Sequence, residues 1–466
     1  MKRKVAIIGL DCAEPSLVFD RWLDELPHIR SLVERGTWGR LRSIDPPITV
    51  PAWSCMMSSR DPGELGVYGF RNRTDRSYGG MATADGRAIK VDRLWDILGR
   101  AGRNVISLGV PGTYPPPEVR GDLVSCFLTP DPRKNEFTFP QGLRQEIEEL
   151  VGQYEVDVRN FRSDDRDRIL SEIYNMTEQR FSVARHLLET RDWDFFVMVE
   201  IGVDRIHHAF WRWTDPSHPR YEANHRYQDV IRDYYHYLDD QIGELLEAFD
   251  EETTVLIVSD HGAQSMEGAV CVNEWLMREG YLVLSEQPDG TIPFAKAKVD
   301  WAKTTAWGEG GYYCRLCLNV AGREPNGLVR PEDYERVRSE LIEKLEALPG
   351  PDGQSIGTRV YRPEDLWREQ KGIPPDLIVY FGNLAWRSAG SLGHGNIYTF
   401  ENDTGPDDAN HAPDGICIVA GPEIPNEHRL DLKIFDIAPT VLSLFDLPVP
   451  TNMLGHAMVT PLVLVP

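Results

Sequence analysis

Four short apolar runs, VAIIGLD, NVISLGV, DFFVMVEIGVD and TVLIVSDHG, constrain this chain more than any other feature. Each is continuously apolar over about the length of one strand. Stretches of helical character alternate with them: residues 16–35, VDRLWDILGRAG, 166–190 and 221–249. A strand that is apolar on both sides has to be covered on both sides, which is the condition of a mostly parallel sheet flanked by helices. The expected fold class is therefore α/β, doubly wound. Later, DLIVYFG and GICIVAGP return to strand character, and DIAPTVLSLFDLPVP supplies a last helix that Pro448 and Pro450 stop.

At 466 residues the chain is read as a single α/β domain over 1–466, with insertions at about 110–165 and 265–330. The first insertion is rich in Pro, Asp and Arg, and the second carries short strand-like pieces around Gly and Pro. Both are expected above the strand C-terminal ends, as a cap or substrate-specificity region. Composition is that of a globular protein, 41% hydrophobic and 26% charged. A formal net charge of −23 argues against an extended nucleic-acid or anionic-membrane surface but leaves room for a local cation. The apolar run after MKRK is too short for a signal segment, and no run is long enough to span a bilayer. Seven scattered cysteines suggest reduced thiols and a cytoplasmic protein; Cys314 and Cys317 form a C-x-x-C, but CRLCLNV reads as a strand.

Three of the strands end in carboxylates: Asp11, Asp204, and Asp260 with His261 directly after it. In open parallel sheets ligands bind beyond the carboxyl ends of the strands, so residues far apart in sequence can meet there. Asp204 and His208 stand four apart, on one face of a helical turn, with His207 directed elsewhere. His411 sits in a polar loop leading into a strand. Singly these are ordinary turn, cap or loop residues. Together they sort into two possible sites, Asp204, His208 and His411 in one, and Asp11, Asp260, His261 and the Thr49 hydroxyl in the other. Mixed imidazole and carboxylate donors suit zinc, with manganese or iron as alternatives. Two divalent ions about 4 Å apart form a clamp suited to phosphoryl transfer. Thr49, between a Pro-Pro pair and Pro51, reads first as a helix cap, but a helix mouth is also where a phosphate can sit.

GLDCAEP, ITVPAWSCMMSSRDPGELGV, EIGVDRIHHAFW, VSDHG and NHAPDGI, in this order, resemble the alkaline phosphatase superfamily in its nucleotide pyrophosphatase/phosphodiesterase-like branch. The resemblance implies an alkaline phosphatase-like fold and a threonine nucleophile, Thr49, forming a phosphothreonine that water then cleaves. It also implies two divalent metal ions, zinc first and manganese second, one held by Asp11, Asp260 and His261 beside Thr49 and the other by Asp204, His208 and His411. Related enzymes usually carry an asparagine downstream of the nucleophile that bonds the transferring group, often after a His-Gly. Here Leu65 replaces the histidine, and Asn72 or Arg71 is the candidate oxyanion partner. Val50 stands where nucleotide-cleaving members often have an aromatic residue, so no base-stacking pocket is implied.

The expected function is metal-dependent hydrolysis of small-molecule phosphate esters, diesters ahead of monoesters. A phosphomonoesterase or phosphomutase is the alternative within the superfamily, and a non-catalytic metal-binding protein the alternative outside it. A sulfatase is disfavoured, because Thr49-Val50-Pro51-Ala52-Trp53 lacks both the modifiable residue and the arginine of C/S-x-P-x-R. Trp301, Trp307, Tyr312 and Tyr313 are read mostly as a small core beneath the second insertion.

Overall fold

Val5 and Ile7 of the first strand pack into one apolar cluster while Ala6, Ile8 and Leu10 pack into another, so both faces are covered as the continuous apolarity requires. The structure is a computed structural model describing residues 3–422 and 424–458. Its central sheet comprises β1 (Lys4–Leu10), β2 (Gly36–Arg42), β3 (Val105–Leu108), β4 (Gly121–Val124), β5 (Thr138–Phe139), β6 (Phe195–Glu200), β7 (Thr253–Val258), β8 (Asp414–Ala420) and β9 (Glu427–Arg429). Their spatial order is β9, β2, β8, β7, β1, β6, β3, β4, β5. β8 and β5 run antiparallel to their neighbours and the other pairings are parallel. Gly9 of β1 lies opposite Val199 of β6 and Val258 of β7, so the three strands end level at one edge.

Helices α1 (Pro27–Val33), α4 (Arg166–Thr190), α5 (Gly202–Thr214) and α6 (Val230–Leu246) cover one face. Helices α2 (Thr49–Ser58), α3 (Leu94–Arg100) and α7 (Ile437–Leu444) cover the other. The helix expected over 166–190 forms over those residues. That over 221–249 starts only at Val230, and 16–35 breaks into three short pieces ending in α1.

Both excursions differ in detail from the sequence reading. Within 110–165 the chain returns twice to the central sheet, as β4 and β5; their few apolar residues gave too little periodicity to be seen. The second excursion continues well past residue 330. It folds as a four-stranded sheet of Ala306–Glu309, Cys314–Leu318, Leu377–Tyr380 and Arg359–Tyr361, with the helix Tyr334–Glu346 packed through Leu341 and Leu345 into a third apolar cluster. DLIVYFG therefore belongs to this smaller sheet, because an apolar run reports burial and not which sheet it joins. Trp301 and Trp307 lie in that cluster, Trp301 stacking on Tyr78 with ring centroids 3.6 Å apart, and Tyr313 packs in a fourth. Cys314 and Cys317 are buried free thiols on one strand. Among the described residues no helix is long and apolar enough to cross a membrane.

Candidate active site

At the level edge of β1, β6 and β7 the chain places Asp11, Asp204 and Asp260 in full burial. Asp11 directly follows β1, Asp260 stands two residues past the end of β7, and Asp204 lies in the first turn of α5. His411 arrives from the strand Ala409–Ala412, which pairs antiparallel with Gly262–Ser265 and sets His411 opposite Ala263. Its ring stacks on His261 with centroids 3.8 Å apart. The pairing needs a glycine at 262, where a Cβ would come within 2.4 Å of both the Asp414 carbonyl and Glu14 Oε2.

Two groups of donors converge within 4.8 Å: Asp204, His261 and His411, and Asp11, Asp260 and His261. His261 is common to both. His208 joins from the far side of Asp204, with Nε2 3.2 Å from Asp204 Oδ1, while His411 Nε2 is 3.7 Å from the same oxygen. The six carboxylate and imidazole residues expected from the sequence thus form one cluster, and Thr49 Oγ1 meets it 3.2 Å from His261 Nε2.

The hydrogen-bond pattern fits metal cations. Nδ1 of His411 donates to the Pro47 carbonyl at 2.7 Å, Nδ1 of His261 faces the Gly262 carbonyl at 3.1 Å, and Nδ1 of His208 donates to Asp407 Oδ1 at 2.7 Å. A carbonyl can only accept, so in His411 and His261 the proton belongs on Nδ1 and Nε2 turns a lone pair inward. His208 Nε2, His411 Nε2, Asp11 Oδ1 and Asp260 Oδ2 are all buried without a hydrogen-bond partner. Four inward-facing ligand-type atoms left unpaired at one point are the chemistry of a ligand set.

The electrostatics agree. Burial, and then the neighbouring carboxylates, push Asp11 and Asp260 well above the usual carboxylate range. Burial likewise lowers His261 to about 4 and His411 well below its ordinary value. His208 differs: burial works downward too, but Asp407 and Asp204 outweigh it and raise the group to about 9, so a cation that takes its Nε2 has to displace a proton held toward Asp204. Three buried carboxylates with one adjacent guanidinium, that of Arg205 on Asp204 Oδ2, leave negative charge that a bound cation would balance.

Thr49 corrects one expectation. The capping position belongs to Ile48, in extended conformation, and Thr49 is the first residue of α2, whose ten residues are all buried. Its hydroxyl therefore does not cap the helix and is free for the cluster. Asn72 is not joined to the cluster. Its Oδ1 accepts from the Tyr68 N–H at 2.7 Å and its Nδ2 donates to the Gly69 carbonyl at 3.1 Å, which spends the amide on a local turn. Arg71 is exposed on the strand Arg71–Arg73. His207 turns away, as expected, toward the Tyr235 hydroxyl.

Several residues of the site were missed in the sequence. Trp53 Nε1 donates to Asp11 Oδ2 at 2.7 Å, one turn beyond Thr49. Asp407 holds His208. Tyr312, grouped above with core aromatics, lies against His411 and His208, with ring centroids 4.2 and 5.1 Å away. The signal for Asp407 was present in PDDANHAP, since a ligating histidine needs an acceptor for its other nitrogen.

Such a fold and cluster define an α/β protein with candidate metal-ligand groups at the carboxyl edge of its sheet. The family is given by sequence: residues 5–407 match the model of type I phosphodiesterase / nucleotide pyrophosphatase, and the chain belongs to that family. It is a hydrolase acting on phosphoric ester bonds, in a metal-dependent family of the alkaline phosphatase superfamily. No curated protein sequence matches the chain. Among solved structures it is similar to human ectonucleotide pyrophosphatase / phosphodiesterase 5, at 12% identity and TM-score 0.54, covering 98% of this chain and 97% of that one. The murine counterpart, in an inactive form in complex with AMP, matches at 12% identity and TM-score 0.53 over the same shares. At this identity the likeness establishes the fold, with its large, mostly parallel sheet between helices.

Proposed function

We propose that the protein hydrolyses small-molecule phosphodiesters through Thr49, with two divalent cations held by the cluster. The observation that carries this is the meeting of the Thr49 hydroxyl, relieved of capping, with the unpaired inward donors of Asp11, Asp260, His208 and His411. Asp11, Asp260, His261 and the Thr49 hydroxyl would hold one ion, and Asp204, His208 and His411 the other. Zinc suits these donors best and manganese is the second choice. Bound cations supply positive charge that activates a hydroxyl and stabilises charge developing on phosphoryl oxygens.

Thr49 Oγ forms a bond to phosphorus as the bond to the leaving oxygen breaks, and the leaving alkoxide takes a proton. Water then cleaves the phosphothreonine, returning Thr49 and releasing the monoester. Of the first turn of α2, Pro51 has no N–H and Ala52 donates to the Ile48 carbonyl, which leaves the Thr49 and Val50 N–H groups beside the nucleophile, where a phosphoryl oxygen can accept from them. That supports the helix mouth in the oxyanion role in preference to Asn72. The two excursions are read as the region that selects the leaving group, and seven buried free thiols support a cytoplasmic site of action.

The test is hydrolysis of a bis-aryl phosphate and its mono-aryl counterpart, with zinc or manganese, by wild type and Thr49→Ala. Faster diester cleavage, lost in the variant, is expected. Thr49-dependent preference for the monoester would move the protein to the phosphatase or phosphomutase reading. Cleavage that survives in Thr49→Ala would remove the nucleophile assignment.

A further inference from the structure

We propose that residues 157–162 of the first excursion form a clamp that sets the affinity of one cation position, that of Asp204, His208 and His411, and leaves the other untouched. The inference rests on the two-cation reading. Asp157 receives Arg205 in a fork, Nε to Oδ1 at 2.7 Å and Nη2 to Oδ2 at 2.9 Å. The remaining arm of Arg205 holds Asp204 Oδ2, which leaves Oδ1 as the oxygen facing His208 and His411.

Five residues along, Arg162 Nε donates to Asp407 Oδ2 at 2.9 Å, and Asp407 Oδ1 accepts a hydrogen bond from His208 Nδ1. Phe161 lies between the two arms, with the guanidinium of Arg205 4.4 Å and that of Arg162 4.6 Å from its ring centroid. One short segment thus reaches two of the three donors of one position, each through one intermediate side chain. Arg162 also binds the hydroxyl of Tyr312, the ring that lies against the His208 and His411 rings.

Among the described residues the donors of the other position are held from elsewhere. Asp11 is held by Trp53 of α2, Asp260 by the Cys12 N–H and His261 by the Gly262 carbonyl, all at the edge of the central sheet. The clamp also differs in exposure: the Asp157 and Arg162 side chains are 24% and 26% exposed, while Asp204 and Asp407 are buried. Partners of a ligating residue set its orientation and basicity, and losing one typically weakens metal binding about 10–100-fold. Asp157 and Arg162 are positioning residues, because neither touches the substrate or an ion.

The experiment titrates metal-depleted full-length protein with zinc against a chromophoric chelator, for wild type, Asp157→Asn, Arg162→Gln and Trp53→Phe. Wild type is expected to bind two ions. Asp157→Asn and Arg162→Gln should each weaken one by about 10–100-fold and keep the other, with unchanged circular dichroism, and Arg162→Lys should recover part of the loss. Trp53→Phe should weaken an ion as well, and in combination with Asp157→Asn both ions should weaken. Equal weakening of both ions by Asp157→Asn, or weakening of neither, overturns the clamp. Fewer than two ions in wild type overturns the two-cation reading itself, before any variant is made. Should Arg162→Gln fail to fold, Asp157→Asn alone decides.

Discussion

Thr49 Oγ1 lies 3.2 Å from Nε2 of His261, a residue 212 positions further along the chain. Five strands of the central sheet, β3 to β7, lie between them in sequence, yet both stand at its carboxyl edge, one on a helix mouth and one just past a strand end. Because Ile48 takes the capping position, the requirement at 49 is for an oxygen and not for a particular cap. Thr49→Ser should keep kcat within about tenfold of wild type, whereas Thr49→Ala should lower it by about 10^3-fold or more. Steady-state assays on the bis-aryl phosphate distinguish the two, and equal losses in both variants would refute the oxygen requirement.

Gly262, beside the donor cluster, is a position at which the fold admits little change. A methyl group there would press within 2.4 Å of the Asp414 carbonyl and Glu14 Oε2, so the Gly262–Ser265 strand or β8 has to shift. The adjacent residue is His261 and the paired strand carries His411. Gly262→Ala should destabilise the protein by about 1–3 kcal/mol through overpacking. Denaturant unfolding gives the stability and zinc titration the accompanying loss of affinity. A variant with wild-type stability and zinc affinity would show that the ladder is more compliant than this geometry allows.

Asp407 is expected to act through His208 and not on the substrate. Asp407→Asn retains an oxygen for Nδ1 but not the charge. Activity measured against free zinc should therefore need about 10–100-fold more metal, and kcat at saturating zinc should stay within a few-fold of wild type. A fall in kcat that saturating zinc does not repair would instead place Asp407 nearer the chemistry.

The convergence of this candidate cluster was legible because a ligand set at a sheet edge leaves its residues at strand ends. Asp11 and Asp260 follow runs whose apolarity marked the strands, and the i,i+4 spacing of Asp204 and His208 marked a helical face. The supporting groups were harder to see. Asp157, Arg162 and Asp407 lie in irregular segments, where no period ties position to direction, and Trp53 looked like any buried aromatic of an apolar helix. Asn72 shows the reverse: a polar residue near the expected place satisfies its own turn. In the fold, the parallel centre followed from apolar length, while β4, β5 and the antiparallel sense of β8 depend on tertiary pairing that a strand's composition does not encode.

His218 gives a pH test away from the donor cluster. It is 3% exposed, and its Nδ1 accepts from the Arg220 N–H at 3.0 Å, an arrangement that needs the neutral ring. Burial, and then the Arg220 charge, lower its pKa to about 4. The unfolded chain binds the proton at about 6.5, so between these values the unfolded state holds more protons than the folded one. The contribution of His218 to stability is therefore fully present above about pH 6.5 and is lost as pH falls toward about 4. His218→Asn keeps an acceptor and removes the titration. Thermal unfolding in chelator, from about pH 7 down to about pH 4.5, should show the wild-type Tm falling more steeply than that of the variant. The difference between the two curves cancels the carboxylates common to both. Parallel curves would mean that the ring is already protonated, or solvated, in the folded protein.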